Sequence, residues 1–270
     1  SSNVERFNWR PSALTMPRST SPRMKAGGLA GGFFAIFSPG THGNVPDDDE
    51  DLNPPYAGAL SQRAAERSAL AMIAIRDGIL ASAKGAITAC TTAADIRAAM
   101  AAGSLAFITH IEGAEAITPD LSNLQAWHDR GLRSLGPVWS RPNVFGTGVP
   151  FRFPASPDQG SGLTVEGVAL VKACNALRIL VDCSHITERG FWDVAKASNA
   201  PLVATHSNAH AVAASSRNLT DEQLRAIGAT RGMVGLNFAT GFLRADGRWS
   251  SDTGADVMLR HLEHMMRLAG

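Results

Sequence analysis

Glu112, His185 and His206 are the residues whose types and placing could do chemistry together. Each closes or follows a short apolar run: Glu112 ends LAFITHIE, His185 follows RILVDCS, and His206 follows PLVAT. A carboxylate and two imidazoles, with coordination positions left over, suit Zn, Fe or Mn. A single His at the end of a strand is more often a hydrogen-bonded loop residue than a ligand. Three such groups at the ends of three runs weaken that ordinary reading. Asp182, just before Cys183, is placed to orient a ligating imidazole, or is simply a satisfied buried carboxylate. His110 shares a strand face with Glu112 at period two and is a lesser candidate ligand. Arg217, in the polar loop SSRN, would suit a bidentate grip on a substrate carboxylate, or would cap the following helix. His42, His128, His261 and His264 read as solvated surface positions, the last two on the outer face of a final helix.

The runs that carry these groups are strands. Gly32–Ser38, Leu105–Ile111, Leu132–Trp139, Arg178–Cys183, Pro201–Thr205 and Gly232–Phe238 are short and continuously apolar, as strands covered on both faces are. Between or after them lie helical patterns at Leu60–Ala83, Leu121–Arg130, Thr164–Leu177, Glu188–Ala197, Thr220–Ile227 and Asp252–Leu268. Thr220-Asp221-Glu222-Gln223 fits a capping box. Six strand-then-helix units in a row predict an α/β fold with a parallel sheet. No G-x-G-x-x-G follows a strand, which disfavours a doubly wound nucleotide binder and favours a (β/α)8 barrel. Catalytic groups of such barrels gather at the carboxyl ends of the strands, where Glu112, His185 and His206 fall. Six strands do not close a barrel, so the reading is of one domain over residues 1–270 with the first and last strands missing.

Composition narrows the field. A hydrophobic fraction of 44% over 270 residues can bury one large core. Basic and acidic residues balance at 25 and 24, with no basic stripe, so nucleic acid is not an expected partner. No apolar run approaches the ~20 residues that span a bilayer. The acidic run Asp47–Asp51 reads as a solvated loop between prolines. Cys90, Cys174 and Cys183 form no C-x-x-C pair and read as reduced, packed thiols. That favours a cytoplasmic setting. Export stays open because the first residues read as mid-loop.

The segments THIEGAEAI, ILVDCSH and PLVATHSNAHAVAASSRNLTDEQL resemble the renal (membrane) dipeptidases, zinc peptidases of family M19. The resemblance runs from the strand at Gly32 almost to the end. It implies a (β/α)8 barrel that hydrolyses dipeptides with two zinc ions. It makes Glu112 the bridging carboxylate, His185 and His206 ligands of one zinc, and Arg217 the anchor of the dipeptide's free carboxylate. The family's other zinc takes a His-x-Asp pair from the first strand, and its last strand carries an Asp that handles protons. Neither has a counterpart in this sequence, so ligands for one zinc are visible. The best-known members place a His where this chain has Trp139, in VWSRPN. Trp offers one N–H and no charge, so substrate is held differently or is of another class. Two further readings stay open: a barrel metallohydrolase acting on another amide, a lactam or a lactone, and a non-catalytic scaffold. A homodimer is also left open.

Overall fold

A computed structural model describes residues 23, 24, 26–39 and 57–270; His42 and Asp47–Asp51 lie outside the described residues. The first strand, β1, is Gly31–Phe37, and helix α1, Gln62–Ser82, follows it. The α1 helix starts where the Ser61 hydroxyl accepts from the Ala64 amide, and it buries Ala65, Ala69 and Ile73 at fourfold spacing. Next come β2 (Ile87–Ala89) and α2 (Ala93–Ala101), then β3 (Leu105–Glu112) and α3 (Leu124–Asp129). After β4 (Leu132–Gly136), a small antiparallel pair, β5 (Pro142–Asn143) and β6 (Gly146–Thr147), opens a long loop. Then α4 (Val165–Leu177), β7 (Leu180–Val181), α5 (Glu188–Ala197), β8 (Val203–Ser207) and α6 (Asp221–Ala229) alternate. The described chain ends with β9 (Met233–Leu236), the single turn α7 (Thr240–Leu243) and α8 (Ala255–Ala269).

The sheet is parallel and, β2 apart, runs in chain order. β1 pairs β3 from Gly31↔Ala106 to Phe37↔Glu112, β3 pairs β4 up to Glu112↔Gly136, and β4 pairs β7 at Leu135↔Val181. β2 adds only to the amino-terminal part of β3, at Ile87↔Leu105 to Ala89↔Phe107. One parallel bridge, Asp182↔Val203, carries the order on to β8, which pairs β9. Among the described residues, β1 and β9 each have one strand neighbour. The helices cover a core that includes Ile111, Leu135, Leu170, Phe191, Leu224 and Ile227.

Several element ends differ from the sequence reading for identifiable reasons. β4 stops at Gly136 because Pro137 has no amide hydrogen. β8 starts at Val203 because Pro201 has no amide hydrogen and the Leu202 amide donates to the Thr230 hydroxyl at 3.0 Å. Arg178 is not a strand residue: it caps α4 in the left-handed conformation at φ 57°, and the Ile179 amide closes back onto the Cys174 carbonyl. The β2–α2 unit went unread, although a Thr92–Asp95 capping box begins α2. The Thr220–Gln223 capping box is present as expected.

His261 and His264 are corrected. His261 is 0% exposed: its Nδ1 accepts the Ala209 amide at 3.1 Å and its Nε2 donates to the Leu243 carbonyl at 2.9 Å. His264 bonds Asp221 at 2.7 Å, because α8 packs against α6 and β9. The three cysteines are buried and free of disulfides, as expected. No helix of the described residues is long and apolar enough to cross a membrane.

Candidate metal centre

The carboxyl ends of β3, β7 and β8 bring Glu112, His185 and His206 together. Glu112 Oε1 stands 2.9 Å from His185 Nε2 and 3.2 Å from His206 Nε2, and the two Nε2 atoms are 2.9 Å apart. Glu112 ends β3, and His206 lies within β8 on its inward side. His185 comes from the turn after β7, which Asp182 shapes by accepting from the Ser184 amide and hydroxyl at 3.1 and 2.6 Å.

Hydrogen bonds behind the rings fix their faces. Thr205 Oγ1 gives its proton to Asp182 Oδ2 at 2.6 Å, so at the 2.8 Å contact with His206 it can only accept. His206 therefore carries its proton on Nδ1, and Nε2 presents a lone pair. His185 Nδ1 meets the Ser140 hydroxyl at 2.9 Å, while an Arg217 Nη2 donor points at its Nε2 from 3.3 Å. Arg has donors only, so this Nε2 also presents a lone pair. Three acceptor atoms, with no proton among them, thus face one another within about hydrogen-bonding distance. That arrangement is repulsive without a cation. Two ligand bonds of about 2.0–2.1 Å at a tetrahedral angle put ring nitrogens about 3.3 Å apart, close to what is found. The residues present fit a metal ion, and among the described residues these are the ones that group as a candidate set.

The electrostatics agree. Burial, then the Arg217 charge, lowers His185 to about 3, so it stays neutral and able to ligate. Asp182 is raised by burial and lowered more by His206, His110 and the Ser184 and Thr205 hydroxyls; its pKa is depressed.

Arg217 is near this centre and buried. It is 3% exposed, donates to the Ser184 and His206 carbonyls, and lies over the Phe242 ring at 5.5 Å. Its Nε has no partner. Burial lowers its pKa to about 10, so it remains a cation at neutral pH. Trp139 also reaches the centre, with its ring 5.9 Å from that of His185. It belongs to a run of rings, Phe37, Trp139, Phe151 and Phe242, spaced at 5.1, 5.7 and 5.4 Å. His110 does not join the ligand set. It is buried beneath the centre, bonded to Ser134 at 2.8 Å, with Nε2 at 3.7 Å from Asp182.

Sequence reasoning missed Ser140 and Thr205, although each adjoins a residue it singled out. It also missed a buried ion pair, Arg141 Nε to Glu115 Oε1 at 2.6 Å. Gly113 makes room for it: φ is 89°, and a Cβ there would lie 2.4 Å from Glu115 Oε2.

A family model described as membrane dipeptidase, peptidase family M19, matches residues 5–270. The chain belongs to that family. As an M19 member it is a metallo-dipeptidase, and the crystal structures it resembles agree. It is 54% identical to the dipeptidase AC, an M19 metallopeptidase, with a TM-score of 0.85 over 93% of this chain and 71% of that one. It is 52% identical to a metallopeptidase from Rhodobacter sphaeroides, with a TM-score of 0.86 over 92% of this chain and 73% of that one. That structure holds a phosphinate mimic of the dipeptide L-Ala-D-Ala. A protein from the PQQ-III 3′ region of Acinetobacter calcoaceticus is 41% identical over 244 residues, covering 90% of this chain and 77% of the relative. An amidohydrolase from Pseudomonas aeruginosa, at 19% identity and TM-score 0.74, shares the fold.

Proposed function

We propose that this M19 dipeptidase holds zinc on Glu112, His185 and His206, at the carboxyl end of a single (β/α)8 barrel domain over residues 1–270. The observation that supports this most is the convergence of three acceptor atoms whose protons are all committed elsewhere. When bound, the metal supplies Lewis acidity at the scissile carbonyl and a nucleophile at neutral pH. Two zinc ions, as the family resemblance implies, would suit Glu112, whose carboxylate offers two donor oxygens.

The chain's own residues do the rest. Asp182, through Thr205, holds His206 with its lone pair toward the metal. Ser140 does the same for His185. Arg217, a buried cation with Nε unpartnered, receives the free carboxylate of the dipeptide. Trp139 forms the apolar wall beside His185, takes the place of a polar donor, and shields the reacting bond from bulk water. A dipeptide is the substrate class because the anchoring cation sits within contact distance of a metal ligand, at 3.3 Å, and leaves little room for a longer chain.

Elemental analysis of protein purified without added metal or chelator tests this reading, alongside hydrolysis of a dipeptide panel. About one to two zinc per chain, with dipeptides cleaved and N-terminally similar tripeptides spared, is expected. Metal-free protein that takes up no added zinc would sink it.

A further inference from the structure

We propose that Arg141, held by Glu115, is a positioning residue that sets the Trp139 indole against the metal centre and so tunes the grip on substrate. The inference rests on the reading that Trp139 borders the bound dipeptide.

Arg141 lies two residues beyond Trp139 and is 0% exposed. Its Nε donates to Glu115 Oε1 at 2.6 Å, and its Nη2 donates to the Ser38 carbonyl at 2.7 Å. These bonds tie three strand ends together: Ser38 follows β1, Glu115 follows β3, and Arg141 follows β4. The guanidinium carbon is 5.3 Å from the Phe37 ring centroid and 5.2 Å from that of Trp139. A planar cation in contact with both rings is drawn to both faces and resists their rotation. The backbone adds a second hold: the Arg141 amide donates to the Trp139 carbonyl at 2.7 Å, and the Gly148 amide donates to the Arg141 carbonyl at 3.3 Å. A Cβ at Gly148 would fall 1.6 Å from the Trp139 carbonyl oxygen, so only glycine allows this approach. The linkage runs from Glu115 through Arg141 to Trp139, and from there to the His185 ring.

Stability alone does not explain a charge pair here. Buried pairs often lose to well-packed apolar groups of the same volume, most of all when incompletely bonded. This pair is incompletely bonded: Arg141 Nη1 and Glu115 Oε2 have no partner. What the pair offers that an apolar pair does not is a fixed direction for a flat cation, and therefore for the ring in contact with it.

The test compares wild type with Arg141→Lys, with the double variant Arg141→Met/Glu115→Gln, and with Trp139→Leu. Lysine keeps the charge and loses the plane; the double variant removes both charges, so neither is left stranded. Melting temperature, metal per chain, and calorimetric affinity of the metal-loaded protein for a phosphinate dipeptide mimic are measured. Both Arg141 variants are expected to melt cooperatively and hold metal as wild type does. They should bind the mimic about tenfold more weakly, within the roughly 100-fold that a 1 Å misplacement can cost. Trp139→Leu should also bind more weakly. Wild-type affinity in both Arg141 variants, with weakened binding in Trp139→Leu, overturns the inference and leaves Trp139 beside the substrate. Wild-type affinity in Trp139→Leu overturns that placement and the inference with it. Loss of metal or of cooperative melting in both Arg141 variants shows a merely structural pair and also overturns the inference.

Discussion

Thr205 Oγ1 lies 2.8 Å from His206 Nδ1 and 2.6 Å from Asp182 Oδ2, so one hydroxyl accepts from the imidazole and donates to the carboxylate. It thereby decides which nitrogen of His206 is bare. Thr205→Val keeps the shape and removes that decision. We expect metal affinity to fall about 10- to 100-fold, the usual cost of losing a partner behind a ligand. Competition against a chromophoric chelator measures it. Unchanged affinity would show that His206 needs no such orientation.

Glu112 is the one anionic group of the three, and its removal should abolish metal-dependent stability. Wild type is expected to melt lower after treatment with chelator. Ligand at a hundred times its dissociation constant is worth about 2.7 kcal/mol. Glu112→Gln should melt at the same temperature with and without chelator. Differential scanning calorimetry checks both, and a chelator-sensitive Glu112→Gln protein would place the metal elsewhere.

Arg217 is proposed to meet the free carboxylate of the substrate, which gives a test by substrate rather than by fold. Arg217→Met should lower kcat/KM for a dipeptide by roughly 30-fold or more, since truncating one partner of a buried charge pair costs about 2–5 kcal/mol. The same change should scarcely affect whatever rate remains on the dipeptide amide, which lacks that charge. Equal losses on both substrates would argue that Arg217 only supports the loop.

His261 makes stability depend on pH. Its Nδ1 must stay unprotonated to accept the Ala209 amide, and burial lowers its pKa, with a small opposing pull from the bond to the Leu243 carbonyl. In the unfolded chain an ordinary His titrates near ~6.5. Below that, the unfolded state takes up a proton that the native state refuses, so stability falls as pH drops from about 6.5 toward the lowered native value. His110 and His185 are lowered by burial too and push the same way. The measurement is therefore a difference. Melting temperatures of wild type and His261→Gln, taken from pH 8 to 5.5, should show a shallower fall for the variant. Parallel curves would remove His261 from the account.

The candidate metal centre was legible in the sequence because each of its three residues ends or follows a short apolar run, and a parallel sheet sends such positions to one edge. What lay behind the ligands was not legible. The Glu115–Arg141 pair spans 26 residues and obeys no local period. β2 has only three residues, Ile87–Ala89, too few to make an apolar run, though Thr92 and Asp95 did mark the helix after it. The i, i+3 spacing of His261 and His264 said that they share a side of α8. It did not say that α6 and the Leu243 turn would cover that side. Arg217 lies beside the candidate ligands and is buried, and a polar SSRN loop gives no sign that its arginine turns inward.

Between β7 and β8 the sheet has a single backbone bridge, and the Asp182 carboxylate does much of the joining. It accepts the Thr205 amide at 2.8 Å and the Thr205 hydroxyl from one strand, and the Ser184 amide and hydroxyl from the other. The seam of the scaffold and the tuning of a ligand thus hang on the same four oxygen contacts. Such a position has no graded alternatives. An amide at 182 would turn one of these acceptors into a donor, loosening the join and misaiming the imidazole in a single stroke.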